Sequence, residues 1–340
     1  VTATVLLDDD DGHASAGHPE RPARLDAVRQ VLGADPALGA LPRLDAPPAP
    51  REALERVHLP AYLDAVETFC ETGGGRLDVD TYATPASWDV ARRACGAALA
   101  AVDAVCTGEA EGVFALARPP GHHARPAQAL GFCLLASAAV AARRAQAVHG
   151  AERVLIVDVD AHHGNGTQEA FYDDPSVLFF SSHQADIFPG TGQVEQTGAG
   201  AGEGATVNVP LPARAGDGLV ALYRQLLPPL AERFRPDLVL VSAGYDAHRL
   251  DPLAGLALSV TGLADLVGAV QEVADQWTGG RLALVLEGGY HVETLAAGVT
   301  ATLRRLLDPT AAVEDPFGPT RAREPDLTPV LEAVRQVHGL

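Results

Sequence analysis

Lysine and methionine are absent from this 340-residue chain, so all 25 of its lysine-or-arginine positions are arginine. Such lysine-free, alanine-rich usage most simply reflects coding bias. Long apolar runs are missing too. No 18-residue stretch is continuously hydrophobic, which argues against a transmembrane helix. The opening VTATVLLDDD has neither the cationic start nor the long apolar stretch of a secretory signal, so a cytoplasmic protein without a membrane partner is expected. Only four cysteines occur, Cys70, Cys95, Cys106 and Cys133, with no Cys-x-x-Cys spacing. That excludes a zinc knuckle and a disulfide framework and leaves buried free thiols as the reading. Positive charge is in deficit. A formal net charge of −19 argues against nucleic acid as a partner, because such binding rests on neutralising phosphates. It is compatible with cationic substrates, although solubility alone accounts for it as well.

What the chain has in quantity is apolar residues, 47% of the total, enough for a sizeable core. TATVLL at 2–7 reads as a first strand, followed by an acidic loop over residues 8–11. GHPERPARLDAVRQVL then uses two prolines to introduce an amphipathic helix with Leu25, Val28, Val31 and Leu32 on one face. LPRLDAPPAP at 41–50 is linker-like, a helical stretch runs from Arg51 to about Glu71, and GGGRLDVDTYATP is a glycine-rich loop before the alanine-rich helix Trp88–Val105. Short apolar runs then alternate with helical patterns. The runs are VFALA (113–117), RVLIVDVD, VLFFSS (177–182), ATVNVPL, DLVLVSAG (237–244) and RLALVLEGG (281–289). The helices lie near 134–148, 167–172, 218–234, 261–277 and 293–307. Near-continuous apolar strands alternating with amphipathic helices predict an α/β fold, a parallel sheet covered on both faces. Residues 308–340, rich in proline and acid before a short closing helix, are read as an appendage to a domain spanning 1–307. GAGAGEG at 198–204 lacks a nucleotide-loop spacing and leads into a strand, so it is read as a flexible loop.

The chain is organised around RVLIVDVDAHHGNG at 153–166. A β-branched run exits into Asp158, Asp160 and His162, which an extended chain points the same way. Two carboxylates and an imidazole at the end of a buried strand are costly without a cation between them, and a divalent metal fits. In an open parallel sheet the ligand sits beyond the carboxyl ends of the strands. Four exits carry unusual polar groups there: Arg118 to His123, the 158–166 segment, Tyr245 with Asp246, and Glu287 to Tyr290. Each alone has a bland explanation, such as a helix cap for Asp246. Their convergence on one edge is not explained by structure alone.

HPERPARL (18–25), RPPGHH, GFC (131–133), DVDAHHGNG, FPGTG (188–192), SAGYDAH (242–248) and LEGGY (286–290), taken in order and spacing, resemble the histone deacetylase family over about residues 1–307. The resemblance implies the three-layer arginase/deacetylase fold, with roughly eight parallel strands. It places Asp160, His162 and Asp246 on a catalytic zinc with one position left for water, and such an oxygen-rich set would also accept iron(II) or cobalt(II). Asp158 is then expected to orient His122, and Asn165 to face His123. That second partner is Asp in class I and Asn in class II of the family, so this chain leans to class II. His122 is expected as base toward the metal-bound water and His123 as acid toward the leaving amine, a single histidine doing both being left open. Tyr290 is expected to donate to the developing oxyanion.

By the same resemblance Phe132 and Phe188 wall an acyl-lysine tunnel, with the Gly131 carbonyl accepting the amide N–H. Arg24 lies beneath the metal on an acetate exit route, Asp80 holds the substrate backbone at the rim, and a potassium ion binds near the Asp158–His162 backbone. Leu253 stands where polyamine-preferring relatives carry a gatekeeper glutamate, which favours acetylated lysine in a protein or peptide, or a small neutral-chain acetylated amine. The acidic surface pulls toward acetylpolyamines. A binuclear arginase would have a carboxylate where His248 stands, and an inert acyl-amide binding module would lack a ligand, histidine or tyrosine that is present here. His163 and His183 receive no role.

Overall fold

The computed structural model describes residues 2–8, 10–318 and 323–340; residue 9 of the acidic loop and residues 319–322 of the proline-rich segment lie outside the described residues. Among the described residues nine strands form: β1 (Thr2–Leu6), β2 (Gly75–Arg76), β3 (Tyr82–Ala83), β4 (Gly112–Leu116), β5 (Val154–Asp158), β6 (Val177–Gln184), β7 (Thr206–Leu211), β8 (Leu238–Ala243) and β9 (Leu282–Leu286). Seven of them make one parallel sheet in the order β1-β4-β9-β8-β5-β6-β7, while β2 and β3 pair antiparallel by themselves. Seven equals the number of apolar runs in the sequence, one fewer than the rough count the resemblance implied. The chain steps outward through β5, β6 and β7, then returns with β8 and β9 to fill the gap beside β4.

Val154–Asp158 and Leu238–Ala243 are buried along their whole length, as strands covered on both faces must be. Helices Ser87–Thr107 and Ser137–His149 pack together as one layer; helices Ala23–Ala34, Val292–Leu307, Val260–Trp277 and Leu219–Phe234 pack side by side as the other. In Ala23–Ala34 the buried stripe is Arg24, Leu25, Val28 and Leu32, with Val31 only half-buried.

Local chemistry explains the departures from the sequence reading. The helical stretch expected from Arg51 to Glu71 is two helices, Arg51–Leu54 and Pro60–Glu71. Pro60 has no N–H to continue a helix and holds Leu59 extended (ψ 136°). The helix expected near 134 starts at Ser137, because the Ala136 N–H is taken by His58 Nε2 at 2.9 Å. The glycine-rich loop holds the β2–β3 pair, closed by Leu77 N donating to Thr81 O at 2.8 Å. The closing helix Thr328–His338 lies against β7 and helix Leu219–Phe234, with Val334 buried in the main core. Among the described residues no helix is long and apolar enough to cross a membrane.

Candidate active site

The sheet order makes the four polar exits neighbours, since β4, β9, β8 and β5 are consecutive strands. Asp160 and His162 follow β5, Asp246 follows β8, and one donor atom from each lies within 4.8 Å of the others. His162 Nδ1 is 2.9 Å from Asp246 Oδ2 and 3.2 Å from Asp160 Oδ1. Backbone amides fix the remaining oxygens: Gly288 N donates to Asp160 Oδ2 at 2.8 Å and Ala161 N to Asp246 Oδ1 at 2.8 Å. Both carboxylates are buried. Burial first, and then the neighbouring Asp160 charge, push the Asp246 carboxyl up to about 7 despite His162. Burial works against a charged His162 as well, yet Asp246 and Asp160 outweigh it and raise the imidazole to about 11. Two carboxylates converging on one imidazole nitrogen form a group that could hold a cation. Three protein donors of this kind fit a divalent metal and leave a position for solvent.

The tandem histidines lie beside this cluster with ring centroids 4.0 Å apart. His122 Nδ1 meets Asp158 Oδ2 at 3.0 Å, and its Nε2 faces the cluster, 3.9 Å from Asp160 Oδ1. Asp158 does not join that cluster; its other oxygen accepts from Asp160 N at 3.1 Å. His123 Nδ1 meets Asn165 Oδ1 at 2.8 Å. The environments pull the two rings apart. Burial opposes charge on His122, but Asp158 and Asp160 push it up to about 10. For His123, burial and then the neighbouring His122 and His162 drive the value well below the ordinary histidine range.

Gly131 and Phe132 both adopt left-handed backbone, φ +54° and +68°. The strain at Phe132 costs about 1–2 kcal/mol, and Thr81 Oγ1 secures it by accepting the Phe132 N–H at 3.0 Å. A Cβ on Gly131 would run into His123 Cδ2 and lie 2.8 Å from Phe188 Cε1, so only glycine leaves the slot open. Phe188 stands edge-on to His123 (5.1 Å) and is 40% exposed, while Phe132 stands edge-on to Tyr290 (5.4 Å). The Gly131 carbonyl accepts Cys133 Sγ–H at 3.3 Å. Leu253 is partly exposed beyond Asp251, and Asp80 is half-buried between β2 and β3, its carbonyl 2.9 Å from His18 Nε2. Arg24 is fully buried. It donates to the carbonyls of Gly289 (2.7 Å) and Glu287 and stacks 4.9 Å from the Tyr290 ring centroid, beneath the turn that carries Tyr290.

The histone deacetylase domain model matches residues 18–306. The chain belongs to the histone deacetylase family. It is 40% identical over 306 residues to a histone deacetylase-like amidohydrolase of Pseudomonas aeruginosa, covering 89% of this chain and 80% of that one. It is 41% identical over 339 residues to the polyamine deacetylase HDAC10 of Homo sapiens, covering 95% of this chain and 49% of the human protein. The crystal structure of the HDA15 HD domain superposes with a TM-score of 0.86 at 35% identity, covering 99% and 95% of the two chains. The chain is thus an amide hydrolase of the deacetylase type, with the family's α/β fold.

Several residues that hold this deacetylase site together were given no role of their own from sequence. Glu287 is buried and accepts from the Gly121 and His122 amides. Asp251 accepts from the Tyr290 and His291 amides at 2.7 and 3.1 Å. His163 and His183 pin the loop behind Phe188: His163 Nδ1 meets Thr191 Oγ1 at 2.7 Å and His183 Nε2 meets the Gly192 carbonyl at 3.0 Å. Arg118 clamps Glu20 through two 2.6 Å bonds and reaches Asp10 at 2.9 Å. The available signal was an ionisable residue directly following a wholly apolar run, as at Glu287 and Arg118.

Proposed function

We propose that this deacetylase removes acetyl or other short acyl groups from the side-chain amine of lysine, in a protein, a peptide or a small molecule. The observation that carries the reading is His122, held by Asp158 through Nδ1 while Nε2 faces the ligand cluster. Zinc(II), or iron(II) or cobalt(II), held by Asp160, His162 and Asp246 would supply Lewis acidity toward a water and the amide carbonyl. A potassium ion along the Asp158–His162 backbone belongs to the same reading.

The tandem histidines move the protons. With the charge of Asp160 neutralised, Asp158 and Glu287 would still raise His122; in this assignment His122, neutral on substrate binding, takes the proton of the attacking water, and a protonated His123 delivers one to the leaving amine. The opposite shifts of the two rings favour a second assignment, in which His123, resting neutral, accepts the proton of the water and passes it to the leaving amine, while a charged His122 stays an electrostatic partner. Activity of His122→Ala against His123→Ala separates them, since loss of the base costs more. Tyr290 donates its hydroxyl to the carbonyl oxygen as charge develops there. Phe132 and Phe188 grip the aliphatic chain, with Asp80 and Leu253 at the rim.

A turnover screen of the metal-loaded protein across acetyl-lysine peptides, acetylpolyamines and small acetamides tests the substrate. Acetyl-lysine peptides are expected to lead acetylated spermidine by about tenfold, the discrimination a rim contact of this kind gives. The reverse order would transfer to this chain the activity named for the human relative. Uniform inactivity with metal bound would sink the mechanism.

A further inference from the structure

Behind the tandem histidines lies a carboxylate that the proton chemistry does not touch. Glu287 directly follows β9, whose five residues are all apolar, and it is fully buried. Its Oε2 accepts from two successive backbone amides, Gly121 N at 2.6 Å and His122 N at 3.0 Å, while its Oε1 accepts from Ser242 Oγ at 3.0 Å. The two amides belong to the turn after β4, and Ser242 to β8. One side chain therefore ties together the exits of three adjacent strands. Its own N–H donates to Ala243 O at 3.0 Å, its carbonyl accepts from Arg24, and the next residue, Gly288, donates to Asp160 Oδ2.

A buried carboxyl is expensive where an apolar side chain would continue the strand, and burial, with the Asp158 charge adding to it, pushes this one up to about 7 against the pull of His122. The three hydrogen bonds offset that cost. The turn they hold is tightly seated on its other side as well: a Cβ on Gly121 would lie 2.6 Å from Ser137 N and 2.8 Å from Leu135 O. Asp158 tethers only the Nδ1 end of the His122 ring. An imidazole held at one end still swings unless its main chain is fixed, and misplacement by about 1 Å costs on the order of 100-fold in rate.

We propose that Glu287 is a positioning residue for the proton-transfer pair: by gripping the Gly121 and His122 amides it sets the height of the His122 ring between Asp158 and the ligand cluster. The inference deepens the proposed acid–base reading and rests on it.

Two substitutions separate grip from charge. Glu287→Gln puts an amide oxygen where Oε2 stands and an NH2 toward Ser242 Oγ, keeping all three bonds without the charge. Glu287→Asp keeps the charge and loses one methylene of reach. The Gln variant is expected within about threefold of the parent in kcat, and the Asp variant about 10–100-fold lower in kcat with KM within about threefold. Metal affinity, measured by chelator competition, stays unchanged in both, which distinguishes lost positioning from a damaged ligand cluster. A Gln variant as impaired as the Asp variant, or an Asp variant with parental kcat, overturns the proposal. Should a variant fail to fold, the parent protein decides: the Gly121 and His122 amides are expected to exchange with deuterium as slowly as the β9 amides, and fast exchange overturns the grip. Parental activity in His122→Ala would instead sink the acid–base reading itself.

Discussion

Tyr290 is held on three sides before any substrate arrives. Arg24 lies over its ring, Phe132 meets it edge-on, and Asp251 accepts its backbone N–H. Tyr290→Phe therefore keeps the ring in place and removes only the hydroxyl. If that hydroxyl donates to the developing oxyanion, kcat falls by about 100- to 1,000-fold while KM changes little. Steady-state kinetics on the metal-loaded variant check this, and near-parental turnover would remove Tyr290 from the mechanism. At this scale part of the Asp160, His162 and Asp246 cluster was legible, because a period of two puts Asp158, Asp160 and His162 on one side of a strand end. What the period cannot do is rank them. Asp158 turns to His122, and Asp246 replaces it at the cluster from another strand. The partners of the supporting carboxylates were illegible for a simpler reason: Glu287 and Gly121 are 166 positions apart, and Glu20 and Arg118 are 98 apart.

At the scale of elements, the segment between β1 and helix Ala23–Ala34 is locked onto the exit of β4. Arg118 engages both oxygens of Glu20, Asp10 and the His13 carbonyl, all of them buried. Burial pushes the Glu20 carboxyl up, but Arg118, and after it His13, outweigh burial and hold it below the usual carboxylate range. A carboxyl lowered on folding contributes stability that is complete above its unfolded pKa of about 4.3 and is lost as the pH falls through the folded value. Glu20→Gln leaves Arg118 with Asp10 as its one carboxylate partner, and a loss of about 3 kcal/mol at pH 7 is expected, or roughly 4 °C in Tm for a chain of this size. The difference from the parent stays constant above about pH 5 and narrows below about pH 4. Thermal melts across that range test it, and a gap that widens in acid contradicts the assignment. The long strands and helices were readable because their apolar pattern repeats over several turns or alternations. β2 and β3, two residues each, offer no period, and the break before Pro60 hangs on one missing N–H.

The whole molecule adds what no single element contains. The order β1-β4-β9-β8-β5-β6-β7 is not written in any local pattern, yet it alone makes the four polar exits adjacent. Net charge also acts at this scale. The formal −19 creates a field that draws cations from a distance, while on the proposed reading Leu253 at the rim offers no acid of its own to receive one. These two influences separate by ionic strength, because a long-range field is screened within about 8 Å at 0.15 M salt and a contact across the rim is not. For acetylated spermidine, kcat/KM is expected to fall about tenfold as salt rises from about 0.01 M to 0.3 M, since steering enters through the association rate. An end-blocked acetyl-lysine amide carries no charge and should change by less than about twofold. The ratio of the two substrates would then move toward acetyl-lysine as salt is added, with kcat for each constant. Parallel curves for both substrates would mean that the acidic surface serves solubility and takes no part in choosing the substrate.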